Sequence, residues 1–165
     1  MPILDSRTLE FFSHSPEQTR RVGIRLGGLL QVGDVICLEG ILGAGKTTLV
    51  QGIAQGWGSL DPVSSPTYMI VNEYRHPIEQ RLYHLDAYRL ADARDAEILD
   101  FDRMLTQGAM VIEWPERIKE ILPDTHLWVQ MRWTGVEQRN IWITPCGEYY
   151  EKMLQTLRQQ LFGDI

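Results

Sequence analysis

Two stretches of the chain are apolar at every position, and most of the rest alternates or repeats at helical spacing. Val35-Ile36-Cys37-Leu38 and Ala109-Met110-Val111-Ile112 are the continuous runs, which predicts strands buried on both faces of a sheet. Thr8-Leu9-Glu10-Phe11-Phe12 predicts a short strand. Ser15-Pro16-Glu17-Gln18 then supplies a capping serine, a proline at the first helical position and a glutamine at the third. The helix it starts is expected to reach about Gln31, with Val22, Leu26, Leu29 and Leu30 on one face. A second helix, Thr47 to about Gln55, buries Leu49, Val50 and Ile53, and Gly56 and Gly58 are read as its end.

Beyond a Ser- and Pro-rich loop from Ser59 to Pro66, Thr67 to Tyr74 and Arg81 to Asp86 alternate. They predict an antiparallel hairpin joined through His76-Pro77. Leu127 to Trp133 and Ile141 to Thr144 predict another around Gly135. Helices are expected from Asp92 to Leu105, from Pro115 to Leu122, and from Glu148 to Leu161 with Met153, Leu157 and Leu161 on one side. Two fully apolar strands, each followed by a helix, imply a parallel sheet at the centre.

What leads out of the first apolar strand carries the chemistry. Gly40-x-x-x-x-Gly45-Lys46-Thr47 is a complete phosphate-binding loop between a buried strand and a helix, the context such a motif needs. Glycines let successive N–H groups turn inward toward phosphate oxygens, and the following helix adds its positive end. Lys46 would neutralise the β- and γ-phosphates and the Thr47 hydroxyl would ligate Mg²⁺. Leu42, Gly43, Ala44, Gly45, Lys46, Thr47 and Thr48 are therefore the nucleotide-binding candidates. The fold expected is α/β: a P-loop NTPase-like single domain over residues 1–165, with a mixed, mainly parallel sheet, appended antiparallel hairpins and flanking helices.

Composition narrows the partners. The 165 residues are 44% hydrophobic and 23% charged, with a formal net charge of −6. That balance argues against unaided binding to nucleic acid or an anionic membrane, both of which favour a basic surface. Cys37 and Cys146 lie far apart without metal spacing and read as core thiols. The first residues lack the pattern of a signal peptide and no stretch is long enough to span a bilayer, so a cytoplasmic location is expected.

A phosphate loop needs an acid for the metal and a group that orients the attacking water. In open α/β sheets such groups belong at the carboxyl ends of parallel strands. Glu113 ends the second apolar run and is assigned to Mg²⁺. Asp86 ends Leu82-Tyr83-His84-Leu85, which alternates more and sits nearer an edge, and is assigned to the water. Either acid can take either role. Ser65 and Thr67, in a segment one helix after the loop, are candidates for sensing the γ-phosphate.

Gly40-Ile41-Leu42-Gly43-Ala44-Gly45-Lys46-Thr47-Thr48, Ser65-Pro66-Thr67-Tyr68, His84-Leu85-Asp86-Ala87-Tyr88-Arg89-Leu90 and Glu113-Trp114-Pro115-Glu116 occur in this order. Together they resemble the TsaE (YjeE) family of bacterial tRNA threonylcarbamoyladenosine biosynthesis over roughly Ser15 to Arg139. The resemblance implies a Mg²⁺-dependent ATPase that works with the proteins TsaD and TsaB and reaches tRNA only through them. It also implies metal-binding positions at Thr47 and Glu113 and catalytic positions at Asp86 and Lys46. Trp114 and Glu116 would then lie beside the nucleotide, with Ser15 to Thr19 and the turn from Gly135 to Arg139 near its base. Ile41 stands where the family usually has Asp, which bears on a partner contact or a loop-orienting hydrogen bond rather than on phosphate. Two rivals stand beside this reading. One is a small-molecule kinase with Arg81, Arg89 and Arg94 as a basic lid. The other is a switch module that binds ATP without cleaving it.

Overall fold

The computed structural model describes residues 7–41, 43–63, 71–90 and 99–163. Leu42, Ser65, Thr67, Asp92 and Arg94, all named above, lie outside them.

The capping signal in Ser15-Pro16-Glu17-Gln18 operates as read. Ser15 Oγ accepts from the Gln18 N–H at 3.2 Å, and Gln18 Oε1 reaches back to the His14 N–H at 2.7 Å. Helix α1 (Pro16–Leu29) follows strand β1 (Leu9–Ser13). Strand β2 (Val35–Glu39) leads through the loop into α2 (Lys46–Trp57). Strands β3 (Val71–Arg75) and β4 (Arg81–Asp86) form the first hairpin, and a 3₁₀ turn, Ala87–Arg89, closes β4. Helix α3 (Phe101–Leu105) precedes β5 (Gly108–Glu113), and a 3₁₀ segment, Pro115–Ile121, leaves it. Strands β6 (His126–Trp133) and β7 (Arg139–Cys146) form the second hairpin before α4 (Glu148–Phe162).

The seven strands make one sheet in the order β1-β7-β6-β2-β5-β4-β3. β6, β2, β5 and β4 run parallel, and the outer pairings are antiparallel. Each hairpin therefore gives its inner strand to the parallel core and leaves the other nearer the edge. β4 is buried at four of its six positions and lies one strand in from β3.

One face of the sheet is covered by α1, α2 and α4. Leu26, Leu49, Ile53, Leu154 and Leu157 pack there with Ile36, Leu38, Val111 and Val129. The other face buries Cys37, Tyr83, Leu85, Met110 and Ile112 beneath α3 and the 3₁₀ segments, through Met104 and Ile118. Cys37 is a core thiol as expected. Cys146 is exposed at the end of β7, because its side chain falls beyond the last buried position of that strand.

Gly56 does not help end α2. The helix continues to Trp57 and closes on left-handed Gly58. Gly56 instead lies where a Cβ would collide with the backbone carbonyl of Ile24 on α1, and Gly23, Gly27 and Gly52 make equally close approaches across the same pair of helices. Their spacing is a packing seam between α1 and α2.

Candidate functional site

The loop between β2 and α2 takes the backbone its glycines permit. Gly43 and Gly45 have φ of 83° and 95°, a left-handed conformation costly to other residues. At Gly40 a Cβ would press within 3.1 Å of both Ala44 and the Met131 carbonyl, so the loop lies flush against β6. The Ile41 carbonyl accepts from the Ala44 N–H at 3.0 Å, while the Ile41 side chain is 65% exposed. The Ile41 side chain therefore faces outward. Thr47 and Thr48 occupy the first turn of α2, both half-buried.

Register brings the acids together. Asp86 and Glu113 end the neighbouring parallel strands β4 and β5 and are paired across the ladder. Glu113 also sits level with Leu38 of β2, one residue before the loop strand ends. Lys46, at the first position of α2, places Nζ 3.9 Å from Glu113 Oε1. The same ammonium lies 4.1 Å over the Trp114 ring, within cation–π range. Lys46 and Glu113 are both buried. Burial lowers the Lys46 pKa, and the carboxylates of Glu113, Asp86 and Glu116 oppose that shift.

Asp86 is more open, and its oxygens are engaged locally. Oδ1 accepts from the Tyr88 N–H at 3.1 Å, capping the 3₁₀ turn, and Oδ2 lies 3.3 Å from Arg89 Nε. Each carboxylate oxygen keeps a second lone pair for another partner. Trp114 has φ of 57°, a strained backbone position for a large residue. It stacks near Tyr88 at 5.0 Å between ring centroids. A cleft of about 350 Å³ opens beside the loop across the carboxyl ends of β2 and β6. Gly40, Ile41, Trp114, Glu116, Met131 and Trp133 line it, together with Glu39 and Gln130.

Of the two candidate base-side segments, the turn from Gly135 to Arg139 reaches the loop, and Ser15 to Thr19 begins two residues after a strand partner of Arg139. Ser13, just before the cap of α1, pairs with Arg139 in the sheet. Arg139 donates through Nη2 to the Gly43 carbonyl at 3.2 Å and through Nη1 to the Gly135 carbonyl at 3.2 Å. The hairpin turn at Gly135 is thereby tied to the phosphate loop. The basic lid required by the kinase rival does not assemble from the described residues. Arg81 begins β4, about 16 Å from Asp86 at strand rise, and Arg89 is committed to Asp86.

Two participants escaped the sequence reading. Arg139 entered only as the end of a turn, and no local pattern links it to Gly43. His84, in the segment from His84 to Leu90, carries no role that its local sequence alone announces. It is 1% exposed, with Nε2 2.5 Å from Glu113 Oε2 and Nδ1 3.0 Å from the Tyr74 hydroxyl. Its signal was available, since residues two apart on a strand share a face and His84 stands two before Asp86.

The profile of the family described as threonylcarbamoyl adenosine biosynthesis protein TsaE matches residues 13–141. That span holds the loop, both acids, His84 and Arg139, and stops before α4. The tRNA threonylcarbamoyladenosine biosynthesis protein TsaE of Bacillus subtilis (strain 168) is 36% identical over 152 residues, covering 92% of this chain and 94% of that one. The protein of the same name from Nostoc sp. (strain PCC 7120) is 39% identical over 153 residues, covering 86% and 91%. The crystal structure of Bacillus subtilis YdiB matches with a TM-score of 0.77 and 32% identity, covering 93% of this chain and 95% of its own. On a family match that spans the site and most of the sheet, the chain belongs to the TsaE family.

Proposed function

We propose that the chain is a Mg²⁺-dependent ATP hydrolase that serves tRNA threonylcarbamoyladenosine biosynthesis together with TsaD and TsaB. The observation that carries this reading is the meeting of Lys46, Glu113 and Asp86 at one end of the parallel strands, beside a phosphate loop.

The residues present fit a magnesium nucleotide. Thr47 and Glu113 offer a hydroxyl and a carboxylate, the hard oxygen donors Mg²⁺ takes alongside nucleotide phosphates. Among the described residues no three His, Cys, Asp or Glu side chains gather into a metal cage. That absence agrees with an ion carried largely by the nucleotide. When bound, Mg²⁺ supplies charge neutralisation across the β- and γ-phosphates.

The chain's own groups divide the remaining work. Loop amides and the α2 N-terminus bind phosphate oxygens. Lys46, whose charge is already balanced by Glu113, turns to the terminal phosphates. Asp86 orients the attacking water with the lone pairs left free by Tyr88 and Arg89. Trp114 and Glu116 wall the cleft, and Ser15 to Thr19 with the turn from Gly135 to Arg139 form the base side.

Partner dependence is supported by the surface around the loop. Ile41, Trp133 and Val136 are 65%, 59% and 87% exposed, and exposed apolar groups clustered beside a site mark protein contacts. A net charge of −6 suits a subunit that reaches RNA through other proteins.

Phosphate release from Mg·ATP, measured with the chain alone and with TsaD and TsaB, tests the proposal. Release is expected to be slow alone and faster in the complex. Lys46→Ala should abolish triphosphate binding. Asp86→Ala should keep affinity within about threefold and remove hydrolysis, as expected of a group acting on the water alone. Intact ATP after long incubation with both partners would replace the hydrolase by a switch, and phosphate transfer to a metabolite would replace it by a kinase.

A further inference from the structure

Tyr74, His84 and Glu113 form a continuous buried line across β3, β4 and β5. Tyr74 is 4% exposed, His84 1% and Glu113 8%. The Glu113 carboxylate accepts only, so the bonding ring nitrogen of His84, Nε2, carries the proton and donates to Oε2 at 2.5 Å. In the neutral ring Nδ1 then accepts, and the Tyr74 hydroxyl is its donor at 3.0 Å. Burial pushes the Tyr74 phenol up to about 12, so that donor keeps its proton across the working range.

A glutamate at a strand end has three side-chain torsions free to turn. Here one oxygen is fixed by a ring that cannot itself rotate, because its other nitrogen is held. The other oxygen, Oε1, is outside the histidine's reach and faces Lys46. We propose that His84, clamped by Tyr74, is the positioning residue that commits Oε2 of Glu113 and leaves Oε1 to the magnesium of a bound nucleoside triphosphate. The inference rests on the nucleotide reading of the site and assigns a role that the reading alone leaves open. Partners of this kind set the orientation of a ligating group, and their loss usually costs roughly ten- to a hundredfold in metal affinity.

The test compares binding of a non-hydrolysable ATP analogue by the full chain, in EDTA and in Mg²⁺, with calorimetry giving both constants. The gain on adding Mg²⁺ is the readout. For His84→Met, the gain should fall by at least about tenfold while affinity in EDTA stays within twofold. His84→Gln places an amide donor near the Nε2 position and should recover most of the gain. Tyr74→Phe frees the ring without removing it and should lose about threefold, between wild type and His84→Met.

A merely structural role would lower both constants together, and that result overturns the proposal. An undiminished gain in His84→Met does the same. Should that variant fail to fold, Tyr74→Phe decides alone, and an unchanged gain there overturns the proposal. A wild-type chain that binds the analogue equally with and without Mg²⁺ overturns the metal reading as well. Loss confined to the variants bears on His84 only, so the two failures are distinguishable.

Discussion

On one face of the sheet the chain lays three long helices, with α1 and α2 joined along a seam of glycines too tight for any Cβ. On the other, the described residues lay α3, of five residues, and two 3₁₀ segments. His84, Asp86 and Glu113 share the alternation of Leu82, Ala109 and Val111 and so belong to the helix-backed face. Tyr88 and Trp114 leave the strand ends into the 3₁₀ segments on the thinner face. Among the described residues, the acids and the lysine are thus braced by long packed helices, and the aromatic rim of the cleft is carried by short 3₁₀ segments. The proposed Mg·ATP site, which would have to hold phosphate oxygens in fixed geometry and still admit a nucleotide, would need both.

The strongest way to break this contrast is at the seam. In an exposed helix Gly→Ala gains about 1 kcal/mol. At Gly56 the added methyl meets the Ile24 carbonyl, and a loss of about 3 kcal/mol is expected, with Tm falling by about 10 °C. A neutral or stabilising result in thermal unfolding would show that the helices can separate, and the bracing argument would fail.

On the thin face, Ile118 is fully buried inside a 3₁₀ segment whose backbone already departs from helical values at that residue. Ile118→Ala should cost about 2 kcal/mol, the low end for such a truncation, because a short segment can settle into the space. Urea unfolding that shows a loss nearer 5 kcal/mol would make the two faces equally rigid.

The smallest effect separates the faces by pH. Burial pushes the Cys37 thiol up to about 12 from an ordinary 9.0, and Cys37 belongs to the thin face. Its folded pKa is the higher one, so its contribution is intact below about pH 9 and is lost as pH rises toward 12. Tyr74 and Tyr150, on the helix-backed face, are also held near 12 but start from 10.0, so their share is lost only above about pH 10. Cys37 should account for a fall of about 1 kcal/mol between pH 9 and pH 10, and Cys37→Ala should shrink the step by about that much while leaving the tyrosines' loss in place. An unchanged step in the variant would remove Cys37 as its source.

Much of this architecture was legible before any coordinates. Val35 to Leu38 and Ala109 to Ile112 are continuous apolar runs and became adjacent parallel strands. The Ser15 cap announced α1. Less legible was anything set by where one element lands on another. Gly56 looks like a helix terminator, because a local reading sees a glycine near a helix end and has no view of Ile24 across the seam. Cys146 looks like a second core thiol until the strand's burial pattern is known to have ended before it. Of the expected helix from Asp92 to Leu105, residues 99–105 are described, and there the helix begins at Phe101, capped by Asp100.

By itself the sequence determined the phosphate loop, the strand before it and the helix after it. Those depend on residues within about one turn of each other and on glycines whose conformations are local properties. Only the tertiary structure decided that Asp86 stands beside Glu113, that His84 reaches Glu113 across 29 positions, and that Arg139 ties down Gly43 across 96. Each of these contacts is fixed by strand register, and a one-residue slip would turn the side chains of the slipped strand to the opposite face.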